Sequence, residues 1–325
     1  MINLFITILN MSLTGAFVIG AICFARWILR KSPKILLYVL WIVAGFRLMF
    51  PFSIESTFSL MPFGTRMISA DIIMEPVSLV NEFSAVTLMH GESWLQIGIM
   101  VGTLGWLVGA VVMLFQGMSS LVILKGRLKE AVLIDENIYE TETLKTPLVI
   151  GGFSPKIYLP THLSAKEREY IILHEQAHIK RGDHMVKFFA YFILCIHWFN
   201  PLVWLAFRLM SRDMEMSCDE RVLRNLGDGA EIKKSYSSAL LSLATEGRTA
   251  FRSGLAFNDG DVRPRVKNIL NLKKQSGIVF VMSLLLVVVL GLGFSVNRVE
   301  SYASSYEAHQ ETPQVEFFHT HPCCE

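Results

Sequence analysis

Residues 188–207 read Phe-Phe-Ala-Tyr-Phe-Ile-Leu-Cys-Ile-His-Trp-Phe-Asn-Pro-Leu-Val-Trp-Leu-Ala-Phe, twenty positions without an acidic residue, Lys or Arg. About 20 apolar residues are enough to cross a bilayer, so hydropathy alone allows one span here. Asn200-Pro201 interrupts the run in its middle. Proline removes a helix hydrogen bond and restricts the residue before it, so each half becomes a separate helix too short to cross. One crossing would put the residues before 188 and after 207 on opposite sides of a membrane. A hairpin keeps them together.

The flanking chemistry decides between these. Upstream lies His174-Glu175-Gln176-Ala177-His178, an HExxH run at the end of a segment with helical character. Ser164 and Glu167 form a capping-box pattern that starts this helix. On a helix, His174 and His178 are i and i+4 and leave the same face one turn apart. That is the spacing two zinc ligands need, with Glu175 placed to take a proton from the attacking water. A catalytic zinc takes three protein ligands and keeps a fourth position open. The best third ligand is Glu215, in Arg212-Asp-Met-Glu215-Met-Ser-Cys218-Asp219-Glu220, a run of high helix propensity. Asp219, one turn after Glu215, can accept a hydrogen bond from the non-ligating nitrogen of a zinc histidine. His174 and Glu215 can share a metal only if 188–207 does not cross once. The stretch is therefore expected to form two helices lying in, or dipping into, the inner leaflet.

The rest of the chain reads as membrane protein. Of 325 residues, 52% are hydrophobic and 18% charged, against about 25% charged in soluble domains. Residues 1–25 carry no charge and predict a first span, without the basic start or cleavage site of a removable signal. Ile35 to about Phe52 predicts a second, with Arg47 near its far end where the side chain can snorkel. Residues 93–124 predict a third and Gln275–Asn297 a fourth. Basic residues cluster at 26–34 and at the membrane borders of 125–274, whereas 53–92 holds five acids against Arg66. The positive-inside rule then places the N-terminus, the loop 53–92 and a short tail 298–325 outside, and 125–274 in the cytoplasm. Val132-Leu-Ile, Pro147-Leu-Val-Ile and Lys156-Ile-Tyr-Leu predict a small sheet before the HExxH helix. The expected fold is a mainly α membrane protein with four transmembrane helices and an inward-facing, gluzincin-like α+β zinc protease domain. A net charge of +2 gives no case for direct nucleic-acid binding. The five cysteines form neither a disulfide framework nor a CxxC site.

This order of spans, Ile171-Ile-Leu-His-Glu-Gln-Ala-His-Ile-Lys-Arg181-Gly-Asp183, Asn200-Pro201 and Glu215-Met-Ser-Cys218-Asp219 resembles the integral membrane zinc metalloproteases of the BlaR/MecR antibiotic-sensor type. Thr146-Pro-Leu-Val-Ile-Gly-Gly-Phe-Ser-Pro155-Lys-Ile-Tyr-Leu-Pro160 is similar to the strand segment of that family, and the resemblance covers roughly residues 1–297. It implies His174, His178 and Glu215 as Zn2+ ligands and Glu175 as general base. It also implies proteolytic signalling, in which an outer stimulus leads to self-cleavage and loss of a cytoplasmic repressor-like protein. Membrane lipid and a second copy of the chain, as a homodimer, are the other expected partners. The antibiotic sensors continue past the fourth span into a penicillin-binding domain. Here 28 residues follow Asn297 and hold no Ser-x-x-Lys acylation site, so sensing by covalent acylation is not expected.

Other residues have two readings each. Cys218 reads as a thiol ligand or, more commonly, as small packing on a helix face. Asp183 and His184 read mainly as surface or interface residues, and His197 as a bundle-facing, hydrogen-bonded histidine rather than a ligand. His319, His321, Cys323 and Cys324 read as a soft-metal or redox sensor or as a disordered terminus. The Gly-, Ser- and Asn-rich stretch 248–261 reads as a loop, with self-cleavage expected near Ala256–Phe257. Rival functions are a quality-control or prenyl-protein-type membrane protease, and a non-catalytic receptor carrying zinc.

Overall fold

The computed structural model describes residues 1–51, 54–56, 58–60, 82–227, 229–247, 262–273 and 276–297. The segment expected to be self-cleaved, the His/Cys tail and most of the expected outer loop lie outside these residues.

Helix α1 (Ile2–Ile28) is followed by α2 (Lys34–Met49), the short strand β1 (Ile54–Glu55) and the long helix α3 (Glu82–Arg127). Four strands come next: β2 (Val132–Asp135), β3 (Ile138–Thr141), β4 (Leu148–Ile150) and β5 (Lys156–Pro160). Then follow α4 (Ala165–Arg181), α5 (Asp183–Ile196), α6 (Pro201–Leu226), α7 (Ala230–Gly247), α8 (Arg263–Leu270), α9 (Gly277–Ser295) and β6 (Val296–Asn297). Among the described residues, three helical segments are long and apolar enough to cross a membrane: Ile2–Lys31, Gln96–Arg127 and Gly277–Ser295. The expected second span is the 16-residue α2, about 24 Å long against a hydrocarbon core of about 30 Å. Length alone therefore does not make α2 a span.

What α2 does is run beside α9. Ser32 Oγ lies 2.6 Å from Ser283 Oγ at one end. At the other, Arg47 donates to the carbonyls of Phe294 (2.5 Å) and Val296 (2.9 Å). Phe294 O lies in the last turn of α9, where carbonyls lack an intrahelical partner, and Val296 O follows at the helix cap, so a cation is favourable there. Beyond the two helices, β1 and β6 pair in parallel.

The awkward run 188–207 is broken as its proline requires. Helix α5 ends at Ile196, and Asn200 caps α6, its side chain accepting from Leu202 N at 2.9 Å with Pro201 in the first turn. The apex of this hairpin is pinned among the membrane helices. His197 Nε2 bonds Leu48 O at 2.9 Å and Asn200 Nδ2 donates to Ser12 Oγ at 2.8 Å. Trp106 Nε1 of α3 donates to Ile196 O (2.8 Å) and Trp198 Nε1 returns a bond to Trp106 O (3.1 Å). Gly109 permits this approach: a Cβ there would stand 2.2 Å from the Trp198 ring. The apex of the hairpin thus packs between α1, α2 and α3. His197 is bundle-facing and hydrogen-bonded, as its apolar neighbours suggest.

The sheet has the order β2-β3-β5-β4, with β3 and β5 parallel and the other pairs antiparallel. Three of its strands match the sequence expectation; β3 was not foreseen. Helix α4 lies against it. Ile171 packs with Ile138, Ile157 and Leu159 of the sheet, while Tyr170 and Ala177 pack with Cys218, Leu223 and Tyr236 of α6 and α7. One helix thus divides two small cores, and its remaining buried position is His174.

Candidate metal centre

Helix α4 starts with the expected capping box: Ser164 Oγ accepts from Glu167 N, and the Glu167 carboxylate accepts from Ser164 N. It stops at Gly182, whose φ of 70° lies in the left-handed region and whose N–H closes on His178 O and Ile179 O. A side chain at that φ is strained, so glycine suits the turn. Asp183 then opens α5 directly beneath the last turn of α4.

The three residues expected to hold a metal meet here. His174 Nε2 lies 3.1 Å from His178 Nε2 and 3.3 Å from Glu215 Oε2, and His178 Nε2 lies 3.6 Å from Glu215 Oε2. Atoms bound tetrahedrally at 2.0–2.1 Å from one zinc stand about 3.3 Å apart. The observed edges bracket that value. Glu175 is half-buried at the adjacent helix position.

The opposite edge of each ring shows which nitrogen carries the proton. His178 Nδ1 lies 2.6 Å from Asp183 Oδ2, an acceptor, so Nδ1 donates. Tyr236 Oη donates to Asp219 Oδ1 at 2.9 Å, leaving its oxygen to accept from His174 Nδ1, also at 2.9 Å. Both Nε2 lone pairs are thereby turned toward Glu215 and toward each other. The guanidinium of Arg265 faces them from one side, Nη1 3.3 Å from Glu215 Oε2 and Nη2 3.3 Å from His174 Nε2, and offsets part of the repulsion among these electron-rich atoms. The donor set fits a metal ion.

The ionisation equilibria agree. Burial opposes charge on His174, but Cys218, Tyr236 and Asp219 outweigh it and hold the imidazole well above its ordinary pKa. Burial acts likewise on His178, and Glu215 and Asp183 reverse it. Burial would raise Glu215; Arg265 and His178 instead hold it well below the usual carboxylate range. Protons and a metal ion compete for the same atoms.

Several site residues differ from the sequence reading. Asp219 reaches His174 Nδ1 only at 3.3 Å; the nearer partner is Tyr236, which sits between them and which was not foreseen. Asp183, read as a surface acid, is buried. It accepts from Arg181 and from Tyr38 Oη (3.2 Å) as well as from His178. Its signal was its place one residue past a glycine that ends the motif helix. Arg265, counted only as a basic flank, contacts Glu215, Asp219 and His174 from α8; no local spacing could have linked it to them. Cys218 is buried behind the ligands, with Sγ donating to His174 O at 3.4 Å. Burial would raise this thiol, but the two imidazoles bring it down to about 7. Cys218, His174 and His178 also form a group with candidate ligand atoms within 4.8 Å of one another, a looser bound than the edges of the His174–His178–Glu215 set.

Three apolar, membrane-length helices, together with a largely buried cluster of two histidines and a carboxylate, are the marks of a membrane protein of the metallopeptidase class. The chain belongs to the BlaR1 peptidase M56 family, whose profile matches residues 6–269. It is similar to the regulatory protein BlaR1 of Staphylococcus aureus, at 25% identity over 306 residues, covering 82% of this chain and 51% of that protein. It is also similar to the regulatory protein BlaR1 of Bacillus licheniformis, 29% identical over 155 residues (43% of this chain, 26% of the relative). The methicillin resistance mecR1 protein of Staphylococcus aureus is 32% identical over 136 residues (40% and 23%). The chain spans at most about half the length of these relatives.

Proposed function

We propose that this chain is an integral membrane zinc metalloendopeptidase that transduces an outer signal by cutting itself and then a cytoplasmic protein of the transcriptional-repressor class. The observation that carries this reading is the convergence of His174 Nε2, His178 Nε2 and Glu215 Oε2 at 3.1–3.6 Å. Zinc is the ion that best suits two imidazoles and a carboxylate with an open fourth position. Bound there, it supplies Lewis-acid polarisation of a scissile carbonyl and an acidified water. Asp183 and the Tyr236–Asp219 pair hold a proton on the Nδ1 of each ring, which leaves Nε2 as the nitrogen that a metal would take. Glu175 takes a proton from the attacking water on its carboxylate and returns it to the leaving amine.

The signalling role rests on the relatives, named as regulatory and methicillin resistance proteins. In the proposed topology α2 crosses with the other three spans, since it reaches the same end as α9. The termini then lie outside and the sheet and α4 inside. Glu175→Gln tests the chemistry. It is expected to retain zinc while self-cleavage, read as a lower band on a gel, falls by about 10²–10⁴-fold. Undiminished cleavage in that variant contradicts the mechanism.

A further inference from the structure

Helix α8 brings Arg265 into the cluster from outside both the HExxH helix and the Glu215 helix. Its Nε and Nη2 make a two-pronged bond to Asp219, at 2.9 Å to Oδ2 and 2.8 Å to Oδ1. Its Nη1 lies 3.3 Å from Glu215 Oε2, and Nη2 lies 3.3 Å from His174 Nε2. One guanidinium therefore faces an oxygen and a nitrogen assigned to the metal, and also the carboxylate behind them. The side chain is largely buried, and burying an arginine is costly unless its charge and its donors are met. α8 is also seated by other contacts: Ile269 is wholly buried in the adjoining core, Asn268 donates to Glu220 at 3.2 Å, and Lys233 holds Leu272 O at 2.7 Å just past the helix. The arginine is thus aimed at the cluster by a helix that is also anchored elsewhere.

We infer that Arg265 is a positioning residue of the metal centre: its planar fork fixes Asp219, and through Asp219 and Tyr236 the ring of His174, while its third nitrogen aligns Glu215. Lysine cannot reproduce this, because an ammonium offers one point of charge where the guanidinium offers a rigid fork. A consequence concerns the membrane. Six residues join Leu270 of α8 to Gly277 of α9, so the segment leading into the last span carries a residue of the metal centre.

The inference rests on the zinc reading above, and the test separates the two. Full-length protein in detergent is purified as wild type, Arg265→Ala and Arg265→Lys. Zinc affinity is measured by chelator competition, and the visible spectrum of the Co(II)-substituted forms reports ligand geometry. Loss of an outer partner of a metal ligand costs about 10–100-fold in affinity. Both variants are expected to show that loss together with an altered Co(II) spectrum. Should Arg265→Ala fail to fold, Arg265→Lys, which keeps the charge and the stem, carries the test. Wild-type affinity and spectrum in the variants overturn the inference and leave the zinc reading standing. A rise in affinity also overturns it, marking Arg265 as a rival of the metal for Glu215. A wild type that binds no zinc removes the metal reading and this inference together.

Discussion

The two imidazoles of the cluster are one helical turn apart and are held in opposite ways. His178 is held locally. Its partner Asp183 is five residues on, across a glycine cap, and Arg181 of the same turn braces the carboxylate. His174 is held from a distance, by Tyr236 of α7, then Asp219 of α6, then Arg265 of α8. The local pair spans a single turn between α4 and α5, with Tyr38 of α2 and Ser217 and Met214 of α6 packed behind it. The remote one exists only when three more helices have docked. The same chemical end, an Nε2 turned into the cluster with a proton held on Nδ1, is reached once by turn geometry and once by tertiary packing.

This difference is open to test. Asp183→Asn should have the larger effect, because it removes the negative charge facing the buried Arg181, which keeps only the neutral acceptors Ser217 Oγ and Met214 O. Breaking a buried ion pair from one side costs about 3–5 kcal/mol, so thermal unfolding should shift strongly and zinc affinity should fall about 10–100-fold. A variant as stable as wild type would mean that the local brace is dispensable. Tyr236→Phe removes one hydroxyl from the remote relay and leaves His174 Nδ1 and Asp219 each short of one bond. The expected cost is about 1–3 kcal/mol, with a smaller loss of zinc affinity than for Asp183→Asn; the reverse order would invert the comparison.

The gentlest probe is pH. Both imidazoles have pKa values raised above the ordinary 6.5. In the ion-free protein, the stability from these protonated rings is fully present below about 6.5, the unfolded value. It is lost as pH rises through the folded values. Metal ligation needs both rings neutral, so zinc must expel these protons. Affinity should therefore keep rising as pH climbs past about 6.5, with protons released on binding. A plateau already reached at that pH would contradict it.

How much of this was legible in the sequence follows the same division. The helix α4, its capping box, the break at Asn200-Pro201 and the candidate ligands could all be read from short-range patterns: i,i+4 spacing, a Ser with Glu three residues on, a proline inside an apolar run. The packing of the hairpin's apex could not, because it depends on Ser12, Leu48 and Trp106 from three other helices. Strand β3 escaped because Ile138-Tyr-Glu-Thr is short and half polar, and its pairing with β5 is tertiary. Helix α2 reads as a span by hydropathy, yet its helical length of 16 residues falls short. Tyr236 and Arg265 lie 62 and 91 residues from His174, and nothing in their own neighbourhoods marks them. Asp183 was within reach: it lies just past the glycine cap of a helix whose last turn carries His178.

The most direct test of the central claim is the zinc content of purified full-length protein after dialysis, wild type beside Glu215→Ala. About one zinc per chain in wild type, lost in Glu215→Ala while the helical circular-dichroism signal persists, is the predicted result. Zinc retained by Glu215→Ala at the wild-type level, or a metal-free wild type, would contradict the assignment of His174, His178 and Glu215 as one metal centre.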